Sequence, residues 1–234
     1  MIKTVLFDLD GTLLPMDQDT FTNAYFKELA KKMIPFGYNP DELVKGVWKG
    51  TAAMVRNDGT KTNEEAFWEV FLKIFGEERK KDLDIFNEFY ENEFAKAKEV
   101  CGFNEASAEV IATLKSKGLD VVLASNPLFP MVAQKSRMNW AGVNVDDFSY
   151  ITSYENSHFC KPSKEYYTEI AELLNLNPEE CLMVGNNATE DMVAREAGMN
   201  VFLLTDCLIN DDNVELSQFR QGGFPELKAL IEEL

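Results

Sequence analysis

The first twelve residues constrain this chain more than any other stretch does. Apolar and β-branched side chains from Ile2 to Phe7 predict a buried strand. Two carboxylates, Asp8 and Asp10, follow at once, and Gly11 and Thr12 come directly after them. Because the carboxyl ends of parallel strands face the ligand crevice, we expect both carboxylates to project into a site.

Two carboxylates this close together repel each other unless a cation lies between them. A hard divalent ion such as Mg²⁺ prefers oxygen ligands of this kind. With the metal screening the charge, one Asp can attack a phosphorus atom while the other exchanges a proton with the leaving oxygen. The alternative is an ordinary Asp-Gly turn after a strand, and these residues alone leave both interpretations open.

Length and charge narrow the class of protein. The 234 residues fit a core domain with a smaller insert. The net charge of −17 argues against binding to nucleic acid or to an anionic membrane surface, because both partners are polyanions. The four cysteines are widely spaced and suggest neither a zinc site nor a disulfide framework. With no apolar run of membrane-spanning length and no signal sequence before the first strand, we expect a soluble cytoplasmic protein.

A helical insert follows the first strand. From about residue 20 to residue 98, apolar side chains recur at helical spacing in four stripes, with turn chemistry between the stripes. We therefore predict a core domain of residues 1–15 and 99–234 and a helical cap domain of residues 16–98. We interpret the many aromatic residues of the insert as its own packing, with aromatics that face the crevice as the alternative.

Strands and helices alternate after Cys101. Strands are predicted at 119–124, 148–153, 181–184 and 201–204, and the last of these is the final clear strand. Helices are predicted at 106–117, 129–139, 163–174, 188–197 and 225–234. This alternation predicts an α/β fold with a doubly wound parallel sheet.

Polar residues at the predicted strand ends form four short motifs. They are Asp8-Leu9-Asp10-Gly11-Thr12, Ala124-Ser125-Asn126, Lys161-Pro162, and a run from Gly185 and Asn186 to Asp191. In their order and separation these motifs resemble those of the haloacid dehalogenase (HAD) superfamily, and the resemblance covers essentially the whole chain. It implies a Rossmann-like core, and the helical insert resembles the helical C1 cap of that superfamily.

The resemblance also implies a role for each motif residue. Asp8 matches the nucleophile and Asp10 the general acid/base, and this second carboxylate favours phosphoryl transfer over dehalogenation. Ser125 and Lys161 would contact the transferring phosphoryl group. Gly11, Thr12 and Asn126 would complete the substrate site. Mg²⁺ would be held by four residues: Asp8, Asp10 through its backbone carbonyl, Asn186 and Asp191.

Asn186 departs from the pattern, because many members have a metal-binding Asp at this position. An amide oxygen can ligate Mg²⁺ but adds no negative charge, so we expect weaker metal binding unless Asp191 or Glu190 compensates. We interpret His158 and Arg56 as ordinary loop and surface residues.

We conclude from the sequence that the chain is a Mg²⁺-dependent phosphatase, similar to phosphoglycolate phosphatases, acting on a small phosphorylated metabolite. The alternatives are a phosphomutase on the same core and a catalytically weak protein that binds a phosphorylated ligand. Sugar phosphates, phosphoglycolate and nucleoside monophosphates all remain candidate substrates, and both a monomer and a homodimer are compatible with the sequence.

Overall fold

A six-stranded parallel sheet forms the centre of the protein in a computed structural model that describes residues 1–234. The strands are β1 (Thr4–Phe7), β2 (Asp120–Leu123), β3 (Tyr150–Ile151), β4 (Cys181–Gly185), β5 (Asn200–Leu204) and β6 (Arg220–Gly222). Their order across the sheet is β3-β2-β1-β4-β5-β6, and every neighbouring pair is parallel. The predicted doubly wound parallel sheet is confirmed.

Strand β1 lies in the middle of the sheet because both of its faces are apolar. Val5 and Phe7 pack into the hydrophobic core on one face, and Leu6 packs on the other. Thr4 pairs with Asp120 of β2 on one side and with Cys181 of β4 on the other. The three strands therefore end at the same edge, and the residues that follow them come together there.

Helices cover both faces of the sheet. Helices α5 (Glu105–Ser116), α6 (Met131–Trp140) and α8 (Phe224–Glu233) contribute to the core on the face of Val5, and α7 (Lys164–Leu173) covers the face of Leu6. No helix of the protein is both long and apolar enough to cross a bilayer.

Four further α-helices occupy the insert between β1 and β2. They are α1 (Gln18–Met33), α2 (Pro40–Val55), α3 (Asn63–Phe75) and α4 (Leu83–Glu91), joined by short 3₁₀ segments. Helix α3 begins at a capping box, in which the Thr62 hydroxyl accepts a hydrogen bond from the Glu65 backbone and Glu65 accepts one from the Thr62 backbone. The insert shares one continuous hydrophobic cluster with the sheet, through contacts such as that of Phe94 with Trp140 of α6, whose ring centroids are 5.0 Å apart.

Asn63 ties the insert to the loop that precedes Lys161. Its side chain is fully buried, and Nδ2 donates to the Phe159 carbonyl at 3.2 Å while the backbone N–H donates to Ser157 O at 2.9 Å. Asn57 Nδ2 in turn donates to Asn63 Oδ1 at 2.9 Å. The position of this loop therefore depends on the insert as well as on the sheet.

Two predicted elements differ in the structure. A helix was expected at 188–197, but a turn occupies the first part and only a 3₁₀ helix at Met192–Ala197 follows. Asn187 Oδ1 accepts from the backbone N–H groups of Thr189 and Glu190, as the side chain at a helix N-terminus does, and Asp191 N donates to Asn187 O at 3.0 Å. The segment therefore starts with one capped turn and continues as a 3₁₀ helix. The strand expected at 148–153 is limited to Tyr150–Ile151.

The sheet also has a sixth strand that the sequence did not predict. β6 is three residues long, Arg-Gln-Gly, and lies at the edge of the sheet. Its sequence lacks the β-branched and aromatic residues typical of strands, and it forms because its backbone pairs with β5.

Candidate active site

A polar cavity of about 320 Å³ lies at the carboxyl ends of β1, β2 and β4. Six of the residues predicted from sequence line it: Asp8, Asp10, Ser125, Asn126, Asn186 and Asp191. Gly11, Thr12 and Lys161 are not in the lining but contact Asn186 and Asp8, which are. The structure therefore brings all nine predicted site residues together.

Lys161 lies under the cavity with 1% of its surface exposed. Its Nζ is 2.9 Å from Asp8 Oδ1 and 2.6 Å from Asp191 Oδ1, so one ammonium bridges two carboxylates. Burial alone would lower the pKa of Lys161, but Asp191 and Asp8 outweigh burial and hold that pKa well above its usual value. Burial raises the pKa of Asp191 to about 6, against the opposing effect of Lys161. The lysine is therefore a permanent positive charge beside Asp8.

Thr12 and Asn186 hold the other side of Asp8. The Thr12 hydroxyl lies 3.0 Å from Asp8 Oδ2 and 3.1 Å from Asn186 Oδ1, and it donates to either oxygen. Asn186 Nδ2 donates to the Cys207 carbonyl at 2.7 Å, which fixes the amide with its oxygen towards Thr12. The Asn186 side chain is therefore held in one orientation within the site. An Asp in its place could not donate a hydrogen bond to the Cys207 carbonyl.

Gly11 permits this arrangement because its backbone passes close to Asn186. A Cβ atom at residue 11 would lie 2.3 Å from Asn186 Nδ2, and the φ angle of Gly11 is +84°, in the left-handed region. Only glycine satisfies both conditions at this position.

Asp10 forms an ion pair with Arg137 of α6, a residue that the sequence analysis missed. Arg137 is fully buried, with its guanidinium bonded to Asp10 Oδ2 and Gln134 Oε1 and stacked over the Phe129 ring. Asp10 Oδ1 is buried without a hydrogen-bond partner. Burial raises the pKa of Asp10, although Arg137 opposes the shift. One carboxylate oxygen of Asp10 is therefore held in place while the other is free.

The Ser125-Asn126 turn completes the wall of the cavity. The Ser125 carbonyl accepts a hydrogen bond from the Tyr166 hydroxyl at 2.8 Å. Asn126 Oδ1 accepts from the Lys161 backbone N–H at 3.3 Å, and Asn126 Nδ2 donates to Glu190 Oε2 at 3.1 Å. Burial raises the pKa of Glu190 to about 7. In this structure the amide of Asn126 holds neighbouring residues in position.

His158 and Arg56 lie outside the polar cavity, and their interpretation as ordinary loop and surface residues stays a prediction. His158 Nδ1 is 2.5 Å from Glu169 Oε1, and Arg56 is exposed at the end of α2.

The donor chemistry at the cavity fits a hard divalent cation. The side chains of Asp8, Asn186 and Asp191 and the carbonyl of Asp10 supply only oxygen atoms. No three His, Cys, Asp or Glu side chains converge as a metal-binding group. In this structure Lys161 contacts the carboxylates of Asp8 and Asp191, and Arg137 contacts that of Asp10. The residues fit Mg²⁺ by ligand type, with the amide of Asn186 and the backbone carbonyl of Asp10 as the neutral members of the set.

Comparison with known proteins identifies the class. A family model described as haloacid dehalogenase-like hydrolase matches residues 2–198. A glyceraldehyde 3-phosphate phosphatase of Methanothermobacter thermautotrophicus is 27% identical over 87% of this chain and 86% of its own. A phosphoglycolate phosphatase of Neisseria gonorrhoeae is 25% identical over 84% of this chain and 77% of its own. The crystal structure of a HAD phosphatase from Thermococcus onnurineus shares the fold, with a TM-score of 0.61, 18% identity and 98% of both chains covered.

The close approach of Gly11 to Asn186 predicts a large effect of Gly11→Ala. Gly118 is a matched control, since its φ angle is +75° but nothing lies within 4 Å of an added Cβ. We expect Gly118→Ala to lower the free energy of unfolding by about 1–2 kcal/mol through backbone strain alone. Gly11→Ala should cost about 1–3 kcal/mol more, because the Cβ also displaces Asn186. Urea denaturation of the two variants measures the difference, and equal losses would contradict the packing around Gly11.

The buried ion pair of Arg137 and Asp10 predicts a strong coupling between these residues. Arg137→Met leaves the Asp10 carboxylate buried and unpaired, and we expect a loss of about 3–5 kcal/mol in the free energy of unfolding. Asp10→Asn in the same chain should recover part of that loss, because it removes the uncompensated charge. Arg56→Met, at an exposed arginine, should stay within about 0.5 kcal/mol of the wild type. Additive losses in the double variant would show that the two groups do not interact.

Proposed function

The chain belongs to the haloacid dehalogenase-like hydrolase family, and from that premise we propose that it is a phosphatase for small phosphate monoesters. The observation that carries this proposal is the position of Asp8, whose carboxylate lines the polar cavity between the Lys161 ammonium and the Thr12 hydroxyl. The relatives named as phosphatases support the reaction class.

Asp8 is the nucleophile of this proposal. One carboxylate oxygen attacks phosphorus, the bond from phosphorus to the ester oxygen breaks, and an aspartyl-phosphate forms. Lys161 offsets the repulsion between the carboxylate and the anionic phosphoryl group, because its charge lies 2.9 Å from Asp8 Oδ1. Water then attacks phosphorus, which restores Asp8 and releases inorganic phosphate.

Asp10 exchanges the protons of both steps. Arg137 holds Oδ2, and the unpartnered Oδ1 is the atom available to the ester oxygen. In the first step Asp10 gives a proton to the leaving oxygen, and in the second it accepts a proton from the attacking water. Ser125, with nearby backbone N–H groups, contacts the phosphoryl oxygens, and Asn126 lies beside it in the wall of the substrate site. Gly11 and Thr12 hold Asn186 and Asp8 in place there.

The proposed cofactor is Mg²⁺. Asp8, the carbonyl of Asp10, Asn186 and Asp191 would hold it, and bound there it would supply positive charge to the phosphoryl oxygens and screen the carboxylates from each other. The oxygen donor set of the cavity supports this assignment.

In this proposal the inserted helices, in residues 16–98, form a cap domain over the active site. Residues 1–15 and 99–234 form the core domain. Helix α1 contributes Gln18 to the wall of the polar cavity, and α1, α2 and α3 line a second cavity that includes Asp10. A cap in this position limits the access of water to the first step.

Release of inorganic phosphate from a panel of monoesters tests the proposal. We expect release that requires Mg²⁺, and we expect Asp8→Asn to lower it by at least about 1,000-fold because the amide is a poor nucleophile. Asp19→Asn makes the same change at an exposed carboxylate and should retain wild-type activity. Release that persists in Asp8→Asn would contradict the mechanism, and an isomerised ester without net phosphate release would identify a phosphomutase.

Asn186 favours one second candidate, a protein that binds a phosphorylated ligand with little turnover. The amide brings no charge to the metal set, and its Nδ2 is committed to Cys207. Asn186→Asp separates the two candidates, because it adds a negative charge to the metal ligands and places a carboxylate oxygen against the Cys207 carbonyl.

For Asn186→Asp we expect tighter Mg²⁺ binding and a metal-free protein that is less stable by about 1–3 kcal/mol, since a buried hydrogen bond is lost. Turnover should change little if the native amide serves catalysis. Mg²⁺ titration by calorimetry, urea denaturation without metal and phosphate release provide three separate readouts. A large gain in turnover over a wild type that releases almost no phosphate would contradict the phosphatase proposal and favour the binding protein.

A further inference from the structure

A second cavity, of about 200 Å³, adjoins the polar one and is mainly apolar. Aromatic residues of the insert form most of its walls, including Phe21, Tyr25, Phe67, Trp68 and Phe86. Asp10, Gln18, Leu128 and Phe129 line both cavities, so the two spaces meet beside the Asp10 carboxylate. A molecule whose phosphate lies at Asp8 would therefore extend its organic part past Asp10 into the apolar cavity.

The residues that line this cavity disfavour a substrate whose organic part is anionic or polyhydroxylated. Of its 16 lining residues 12 are hydrophobic, none is Lys, Arg or His, and Asp10 is the sole carboxylate. A substrate with a second anionic group would lose its hydration here without gaining a cationic partner, and Asp10 would repel it. The hydroxyls of Tyr25 and Tyr90 bond to each other at 2.9 Å, and Trp68 Nε1–H is buried without a hydrogen-bond partner, so the walls offer isolated donors rather than the set that a polyhydroxylated sugar requires.

The size and shape of the cavity set an upper limit on the group. An apolar cavity of about 150 Å³ accommodates benzene, so a cavity of about 200 Å³ accommodates one ring with a short linker. The surrounding rings offer edges and faces to such a group, an arrangement that favours edge-to-face packing.

We propose that the preferred substrate of this site is a phosphate monoester of an uncharged alcohol that carries one aromatic ring, with the ring seated in the apolar cavity. This inference rests on the proposed phosphatase function and names its substrate class. It separates this chain from the relative named for phosphoglycolate, whose organic part is a carboxylate.

Three esters whose leaving alcohols have similar acidity test the proposal: 2-phenylethyl phosphate, ethyl phosphate and phosphoglycolate. We expect kcat/KM for 2-phenylethyl phosphate to exceed that for ethyl phosphate by about 10- to 100-fold, as burial of a ring predicts. Phosphoglycolate should be the poorest of the three. Values for the phenylethyl and ethyl esters within about threefold of each other, or a preference for phosphoglycolate, would overturn the proposal.

Filling the cavity should remove this selectivity. Thr51 is a half-buried lining residue on α2, and Thr51→Trp would occupy the space of the ring. We expect the ratio of kcat/KM for the phenylethyl and ethyl esters to fall by at least about tenfold. Lys49→Trp is the matched control, at an exposed position of the same helix that does not line the cavity, and should keep the wild-type ratio.

Binding of phosphonates, which no phosphatase can hydrolyse, tests the cavity separately from the reaction. Titration calorimetry of the wild-type protein with Mg²⁺ compares 3-phenylpropylphosphonate, propylphosphonate and 3-phosphonopropionate. At least about tenfold tighter binding of the phenyl compound supports the proposal even if no ester is hydrolysed, in which case only the phosphatase function fails. Equal binding of the three, or tighter binding of 3-phosphonopropionate, overturns the substrate class whatever the esters show.

Discussion

The ammonium of Lys161 is the charge on which the site depends, because a cation this deeply buried is stable only with partners that neutralise it. Asp8 reaches it from the end of β1, and Asp191 reaches it from the turn after β4. The loop that carries Lys161 is itself held by Asn63 of the insert and by Asn126 after β2. The order of the strands, the turn after β4 and the insert therefore all position the two ionic contacts of Lys161. The fold and the site depend on the same residues.

A second buried cation, Arg137, reduces the conflict between the negative charge of the chain and the negative charge of its proposed substrate. The net charge of −17 would repel a phosphate ester at a distance. At the cavity, however, Lys161 and Arg137 offset part of the charge of the acidic residues that line it. Arg137 also fixes one oxygen of Asp10 and leaves the other free, so the two carboxylates of the first motif have different surroundings and can perform different tasks.

The local pattern of apolar residues predicted the central sheet, since the buried strands β1, β2, β4 and β5 are apolar and end at turn residues. It missed β6, whose polar residues are held by pairing alone, and it predicted an α-helix where the chain forms a turn capped by Asn187 and then a 3₁₀ helix. Motif spacing placed the polar residues of the cavity. It could not reveal Arg137, because this residue lies inside helix α6, outside the four motifs, and only packing brings it to Asp10. The aromatic residues of the insert serve both as its own packing and as a surface facing the crevice. Phe71 and Phe89 are fully buried in the packing, whereas Phe21 and Trp68 line the cavity beside Asp10.

The most direct test of this account is to find the phosphoryl group on the protein during turnover. The enzyme is mixed with an ester and Mg²⁺, quenched with acid within a single turnover, digested with protease and examined by mass spectrometry. The account predicts a phosphorylated peptide from the N-terminus, modified at Asp8, labile to alkali as an acyl phosphate is, and missing in Asp8→Asn. Phosphate release with no phosphorylated peptide, or with the phosphoryl group on another residue, would contradict it.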